Sequence, residues 1–376
     1  MTPHPLHTPL CDLLEIEIGI MQAGMGRAQG SPTTPALVAA VSEAGGLGCL
    51  GATGLEPDGI QEAIDEIKAL TSRPFAVDLL LPASLAEGDH SRAELRTLIR
   101  RQYPEHWTFV QELHDRYGLK PVEVVREHTL TPSAIDAQID AVLDAGTPIL
   151  VTGLGDPARA VQRAHARGTR VMGIAGSARH AERQQAAGVD AVIAQGYEGG
   201  GHTGTVASLV LIPEVVDRVA PLPVVGAGGI ADGRGVAAVL ALGAQAAWCG
   251  TAFLYANETD ITDTYRAQLT AARPGDLVVS RTYTGKPSRI VRNPVLEAWS
   301  ESGLDPLPMP YQHVLMDDLV AAAEQGGHPE LVNHPAGQAA GVIRRHQPAA
   351  EIVRQLAEEA AATIDRLADV APSAAP

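Results

Sequence analysis

The sequence predicts an α/β protein, a (β/α)8 TIM barrel with a smaller C-terminal helical lid region and a helical insertion after the third strand. Three observations carry this reading. Short apolar runs alternate with amphipathic helical stretches through residues 1–255, giving eight strands, each but the last followed by helix. Glycine clusters stand at strand ends from the first strand to the eighth, and a closed barrel brings those ends together where a doubly wound open sheet would leave them spread. The alternation is interrupted once, over 83–128, and stops after Ala256.

Taken in order, residues 16–21 form the first expected strand and run into Gln22-Ala-Gly-Met25-Gly26. Thr33-Thr-Pro35 opens a helix, proline being tolerated in the first turn, with Leu37, Val41 and Ala44 as its apolar stripe and Gly45-Gly46 as its stop. A strand at 47–52, a helix at 57–70 and a strand at 75–81 follow. The insertion reads as two helices. Ser91-x-x-Glu94 is a capping box ahead of Leu95, Leu98 and Ile99; Pro104 ends that helix and begins another, which carries Trp107, Val110, Leu113 and Tyr117 on one side and closes at Gly118. Because it follows the third strand it begins at the active-site face of a barrel, and Trp107, Phe109 and Leu113 are expected to face the barrel or a second subunit.

Alternation returns with a helix at 132–145, a strand at 148–152, a helix capped by Asp156-Pro157 and stopped by Gly168, and a strand at 170–175. Ser177 caps a helix to Ala187, 191–195 is the next strand, and 213–219 is helical. The last two strands lie in 222–235 and 246–253. Beyond them the expected lid region, 256–376, is loop-rich over 281–347, with short helices at 293–301 and 316–325. Pro348 opens a long terminal helix with Ile352, Leu356, Ala360, Ile364 and Leu367 on one face, and the tail 371–376 is expected to be disordered.

Composition narrows the function classes. With 45% hydrophobic and 19% charged residues the chain is globular, and a formal net charge of −16 argues against non-specific binding to nucleic acid or anionic membrane. Cys11, Cys49 and Cys249 form no metal-ligand pattern and fit a reducing compartment; without a basic, then apolar, leader the expected location is cytoplasmic. Residues 236–257 carry no charge but divide naturally into a helix and a strand, so they read as barrel core rather than as a membrane span.

Two stretches carry chemistry. In Ala191-Val-Ile-Ala-Gln195-Gly-Tyr-Glu-Gly-Gly200-Gly201-His202 a buried strand enters a loop whose residues lack Cβ, leaving room for a flat or anionic ligand; a flexible turn with a surface histidine is the plain alternative. Downstream, Gly226-Ala-Gly228-Gly229 and Gly250-Thr251 end the last two strands, where a barrel points backbone N–H groups and helix N-termini at a phosphate.

These motifs, together with Met21-Gln-Ala-Gly-Met25, Ser42-Glu-Ala-Gly-Gly-Leu-Gly48, Gly228-Gly-Ile-Ala-Asp-Gly-Arg-Gly235, Pro306-Leu-Pro-Met-Pro310 and Ala336-Gly-Gln338, resemble the nitronate monooxygenase (2-nitropropane dioxygenase-like) family, which also includes FMN-dependent enoyl-acyl-carrier-protein reductases. The resemblance implies an FMN-binding barrel. By position, Gln195, Gly200 and Gly201 would meet the flavin, Gly228, Gly229, Gly250 and Thr251 would hold its phosphate, and Gln22 and Met25 would border the ring. His202 matches the histidine that serves as catalytic base in nitronate-oxidising members, a role suited to an imidazole at neutral pH. Asp78 stands where family members commonly have Asn; an aspartate keeps the acceptor, loses the amide donor, and as an anion would disfavour a reduced, anionic flavin.

Three functions stay open on this basis: FMN-dependent oxidation of alkyl nitronates or similar carbanions with O2, NAD(P)H-dependent flavin reduction serving an enoyl thioester or quinone, and a flavin-holding subunit of a larger assembly. A small-molecule substrate is expected in the first two, and a homodimer is compatible with all three. A phosphate-binding barrel of the IMP dehydrogenase type fits less well, since Cys249 ends a strand and is no loop nucleophile.

Overall fold

The computed structural model describes residues 4–26, 31–82, 90–125 and 130–370. The expected limits of the insertion, Ala83 and His128, and the expected disorder of 371–376 lie outside the described residues. Helix α1 (Pro9–Leu14) precedes β1 (Ile20–Gln22), α2 (Pro35–Glu43), β2 (Gly48–Gly51), α3 (Pro57–Leu70) and β3 (Phe75–Leu80). The insertion supplies α4 (Arg92–Gln102) and α5 (Pro104–Arg116), after which come α6 (Pro132–Asp144), β4 (Ile149–Gly153), α7 (Ala158–His165), β5 (Arg170–Ala175), α8 (Ala178–Ala187) and β6 (Ala191–Gln195). A two-residue strand β7 (Gly201–His202), α9 (Ser208–Val219), β8 (Val224–Ala227), α10 (Gly233–Ala241) and β9 (Ala246–Cys249) follow. The remainder holds α11 (Asp263–Ala271), β10 (Leu277–Ser280), β11 (Ser288–Val291), α12 (Pro294–Ser302), α13 (Tyr311–Gly326) and α14 (Ala349–Val370).

The expected barrel is present. Eight parallel strands run in the order β1-β9-β8-β6-β5-β4-β3-β2, and a parallel bridge between Met21 and Leu47 joins β1 back to β2. Successive side chains divide between two cores, as the two-residue period of a strand requires. Ile149 and Val151, Ile193 and Val225 point into the barrel, whereas Leu150, Val192 and Val224 pack outward on the helices. Helix α1, which the sequence reading did not anticipate, closes the N-terminal end. Leu10, Cys11 and Leu14 join the interior cluster, and the Leu10 N–H and Thr8 hydroxyl donate to Gln245 at 3.0 and 2.8 Å. The C-terminal strand ends are left to form the site.

Local signals account for most helix starts. Ser91 and Glu94 make the expected capping box, and Thr34, Thr131, Ser177 and Asn293 cap their helices through their side chains. Boundaries shifted in four places. β1 begins at Ile20, because the N–H groups of Glu17 and Ile18 both turn to the Gly45 carbonyl instead of to a ladder. α7 begins at Ala158, with Pro157 at the N-cap position and Asp156 accepting from Ala158 N–H at 2.9 Å. α9 begins at Ser208 and carries Pro213 inside it; the proline deprives only the Leu209 carbonyl of a donor, on an exposed turn. α13 begins at Tyr311, directly after Pro310. The uncharged run 236–257 divides among α10, β9 and a 3-10 turn at Thr251–Tyr255, and among the described residues no helix is long and apolar enough to cross a membrane.

The expected orientation of the insertion needs correction. Phe109 and Leu113 face neither the barrel nor an open surface; they pack with Leu95, Ile99, Trp299, Val314 and Leu319 in a second core shared with α12 and α13. Phe109 meets Trp299 edge-on at 5.2 Å, and Trp107, partly buried against the same core, lies beneath the Arg100 guanidinium at 4.3 Å. A helix so apolar on one side takes the nearest unsatisfied apolar surface, and the segment after residue 280 provides it. Two buried ion pairs fix the register: Arg92 to Asp317 at 2.9 Å, and Arg96 to both oxygens of Asp318 at 2.7 and 2.6 Å. The terminal helix α14, expected within the lid region, packs on α10 and α2, and its Ile352, Val353, Leu356 and Ala360 belong to the outer core of the barrel.

Removing one member of a buried pair leaves the other charge uncompensated. Arg96→Ala is therefore expected to lower unfolding free energy by about 3–5 kcal/mol, measured by urea denaturation, and a loss below about 1 kcal/mol would mean that water replaces the pair.

Candidate functional site

A cavity of about 280 Å³ occupies the C-terminal mouth of the barrel, between the strand ends and the segment 283–339. Met25, Asp78, Gln195, Gly200, Gly201, His202, Gly228, Gly229, Gly250 and Thr251 all line it. Gln22 does not. It is fully buried; its Nε2 donates to the carbonyls of Ala23 and, at 3.0 Å, Cys49, while its Oε1 accepts from Cys49 N–H at 2.9 Å. Where the sequence reading put it at a ring border, the structure uses it to join β1 to β2.

The loop after β6 owes its glycines to close backbone approach. A Cβ at Gly196 would stand 2.0 Å from Ser208 Oγ, and one at Gly200 would stand 2.5 Å from the Gly337 nitrogen. The space at Gly200 is thus taken up by the chain's own 336–337 segment, whose Gly337 N–H donates to Thr251 Oγ1 at 2.8 Å. Gly201 differs: at φ 66 its missing Cβ would meet nothing within 4 Å, so it leaves the cavity open. On the opposite wall, Gly228 (φ 102) and Gly229 (φ 72) adopt successive left-handed conformations open mainly to glycine.

His202 is held from three directions. β7 pairs antiparallel with β11, setting Ser288 opposite His202; Gln195 Nε2 donates to the His202 carbonyl at 2.7 Å; and His202 Nδ1 lies 3.3 Å from the Pro287 carbonyl. A carbonyl can only accept, so Nδ1 carries the proton and Nε2 keeps its lone pair for the cavity. Burial in the mouth, with minor help from His313 and Lys286, pushes the imidazole pKa down to about 4, so the ring is neutral at pH 7. The ring is not sealed, since it lines the cavity and stays partly accessible.

Burial shifts other groups toward their neutral forms in the same way. Burial raises the Asp78 carboxyl to about 7 and the Cys249 thiol to about 12, and pushes the Cys49 thiol well above its ordinary range. Cys249 is therefore a poor nucleophile, in line with its reading as a strand residue.

Several site residues escaped the sequence reading. Arg289, 1% exposed on β11, donates to the Leu277 and Tyr197 carbonyls at 2.6 and 2.8 Å and stacks over the Tyr197 ring at 4.3 Å, so it clamps the glycine loop to the C-terminal sheet. Its signal was an arginine within the apolar run Ser288-Arg-Ile-Val291. Glu198 accepts from Ser208 N–H and Oγ at 3.0 and 2.8 Å. His313 and Asp317, one turn apart on α13 with 3.4 Å between Nε2 and Oδ2, line the upper wall. An i,i+4 histidine–aspartate pair has no signature until the partner surface is known.

Gly228 combines a close approach with a left-handed backbone: its Cβ would stand 2.6 Å from Ser208 Oγ and 3.1 Å from Gly196 N, at φ 102. Gly228→Val should cost about 1–3 kcal/mol of stability in urea denaturation, and an unchanged midpoint would show that this wall yields freely.

The geometry has relatives. Residues 7–359 match the family model described as nitronate monooxygenase. A Staphylococcus saprophyticus protein named "Probable nitronate monooxygenase" is 32% identical over 96% of this chain and 99% of its own. Among solved structures, the nitroalkane oxidase from Streptomyces ansochromogenes is 31% identical, with a TM-score of 0.81 over 96% of this chain and all (100%) of that one. FabK from Thermotoga maritima is 31% identical with a TM-score of 0.75, covering 97% and 99% of the two chains. Matched over nearly its whole length by this family model and by relatives above 30% identity, the chain is an oxidoreductase that belongs to the nitronate monooxygenase family.

Proposed function

We propose that the chain binds FMN in the barrel mouth and oxidises alkyl nitronates, or the carbanions of similar carbon acids, with O2 as the terminal acceptor. The observation that carries this is His202: a neutral imidazole with Nδ1–H on the Pro287 carbonyl and Nε2 free for the cavity, between two glycine walls. The residues present fit a flavin. Gly228–Gly229 and Gly250–Thr251 set main-chain groups about one corner, as a phosphate requires, and a Cβ at Gly201 would enter open space. FMN, when bound, supplies the two-electron acceptor that no side chain provides.

The protein's own part is proton handling and positioning. His202 Nε2 would take the carbon-bound proton of a neutral nitroalkane, and the Pro287 carbonyl would stabilise the imidazolium that forms by accepting from Nδ1–H. Gln195 and β11 prevent the ring from swinging away, and the α13 wall closes the cavity above it. A nitronate has already lost its proton and needs only the binding part of this arrangement. The nitroalkane oxidase of Streptomyces ansochromogenes supports this reading, as does the staphylococcal relative's name. The likeness to FabK keeps an NAD(P)H-driven reductase as the second reading.

Purified protein should take up about one FMN per chain and, without oxygen, be bleached rapidly by nitronate and slowly by NADH; rapid bleaching by NADH alone would overturn the oxidase reading and leave the flavin. His202→Asn should depress turnover of a neutral nitroalkane by about 10²–10⁴-fold and of the nitronate far less. An equal loss on both substrates would remove the base assignment.

The pH dependence has a definite sign. The base works unprotonated, and a pKa lowered to about 4 keeps it so throughout mildly acidic solution. The acid limb of kcat/KM on a neutral nitroalkane should therefore fall away only near pH 4 to 5, and a limb near the ordinary histidine value, about 6.5, would show that the ring is solvated in the working enzyme.

A further inference from the structure

Asp78 is the one carboxylate of the cavity for which the fold provides nothing. It sits on β3 between Gly51 of β2 and Val151 of β4, is 7% exposed and lines the cavity. Among the described residues neither carboxyl oxygen has a hydrogen-bond or ion-pair partner, and Oδ1 is wholly buried without one. No lysine or arginine is among the described residues lining the cavity. Glu198, by contrast, is met by Ser208, and Asp317 by Arg92. On one side the chain crowds Asp78, since a Cβ on Gly24 would stand 2.5 Å from the Asp78 Cβ and 3.0 Å from Oδ2. The side left for a partner is the cavity.

A buried carboxylate without donor or cation is strongly disfavoured, and the economical state of such a group is the acid. The acid changes what Asp78 can do, because a carboxylate only accepts whereas a carboxylic acid also donates through its O–H. We propose that Asp78 serves the flavin site as a neutral carboxylic acid, donating a hydrogen bond to an acceptor atom of the ring, so that cofactor binding requires the Asp78 proton. This deepens the flavin reading and rests on it. It also removes the conflict raised by an aspartate where an asparagine is usual: acid and amide each present a donor group beside an acceptor oxygen, and only the acid loses its donor as the pH rises.

Other titratable groups share these surroundings, and an Asp78→Asn variant keeps all of them. On β2, Cys49 is the titratable neighbour, and burial keeps it a thiol. β4 offers Val151 and Thr152, and residues 22–25 have no ionisable side chain. His202, Glu198, His313, Asp317 and Glu324 share the cavity, and His202 stays neutral above about pH 5 because burial holds its pKa near about 4. The sign follows from burial raising the Asp78 pKa from 3.8 to about 7. Between these values the folded chain holds a proton that the unfolded chain releases, so the Asp78 contribution to stability declines as pH rises from about 4 through about 7. FMN affinity declines as pH rises past the upper value.

The test is fluorescence titration of FMN into flavin-stripped wild type, Asp78→Asn and Asp78→Leu, with urea denaturation of the flavin-free proteins over the same pH range. Wild-type Kd is expected to rise about tenfold between about pH 6 and about pH 8, relative to an Asp78→Asn profile that shows only the ligand's own titration. Asp78→Leu, which keeps the volume and loses the donor, should bind weakly at every pH. Superimposable wild-type and Asp78→Asn profiles, or full affinity in Asp78→Leu, would overturn the proposal while leaving the flavin reading intact. Absence of FMN uptake by all three proteins at every pH would overturn both. In urea, the fall in stability from about pH 4 to about pH 7 should be shallower for Asp78→Asn than for wild type, and equal slopes would show that Asp78 is ionised in the fold.

Discussion

The placement of everything in the mouth depends on one constraint: the loop from Gln195 to Gly204 is enclosed on both sides by backbone. Below it, the main chain of Ser208 and Gly176 approaches so closely that a Cβ at Gly196 or Gly204 would lie 2.5 or 2.6 Å from the Ser208 nitrogen or the Gly176 carbonyl oxygen. Above it, the 336–337 segment meets Gly200. A loop with five glycines in ten residues is free to wander in the unfolded state, so glycine here is entropically costly. The cost is offset by main-chain bonds that fix the loop as though it were a strand: β7 on β11, Gln338 N–H to the Glu198 carbonyl at 3.0 Å, and Arg289 across the Tyr197 carbonyl. His202 inherits its position from these bonds, none of which it makes with its ring.

This enclosure also explains the electrostatics of the cavity. Walls that exclude water raise the free energy of every charged form inside, and the groups shift toward neutrality: imidazole by giving up a proton more readily, carboxyl and thiols by holding theirs to higher pH. Two nearby carboxylates are met by the fold instead, Glu198 by Ser208 and Asp317 by Arg92. In a chain of net charge −16, burial thus shifts the deepest groups of the mouth toward their uncharged forms.

The barrel was legible because its signals are local. Apolar runs bounded by glycine, and Ser, Thr or Asn ahead of a helical stripe, state the element within a few residues; α3 fell on residues 57–70 as read, and the Ser91 box closed as read. The glycine walls were legible for a similar reason, though their cause was read incompletely: Gly200 makes room for residues 336–337 as well as for the cavity. What stayed hidden was long-range. Gln22 carries the same side chain whether it faces a ligand or bonds Cys49 across a strand junction, and only β1–β2 contact decides between them. Helix α1 was missed because six residues between prolines and turns have no periodicity to detect.

The insertion shows how far such long-range pairing reaches into the site. Arg92 and Arg96 stand one turn apart on α4, and their partners Asp317 and Asp318 are adjacent on α13, so the two pairs together fix both the rotation and the height of α13. That helix carries His313, Met316, Asp317 and Val320 into the cavity lining. A surface excursion would leave the cavity unaffected if it were removed. Here the residues that hold the upper wall in register belong to the insertion, and the aromatic contact of Phe109 with Trp299 and the apolar core around it supply the cohesion that two desolvated ion pairs by themselves do not. The geometry above His202 is therefore set jointly by the segment after residue 280 and by a pair of helices inserted between the third and fourth strands, two stretches that in sequence have nothing to suggest they meet.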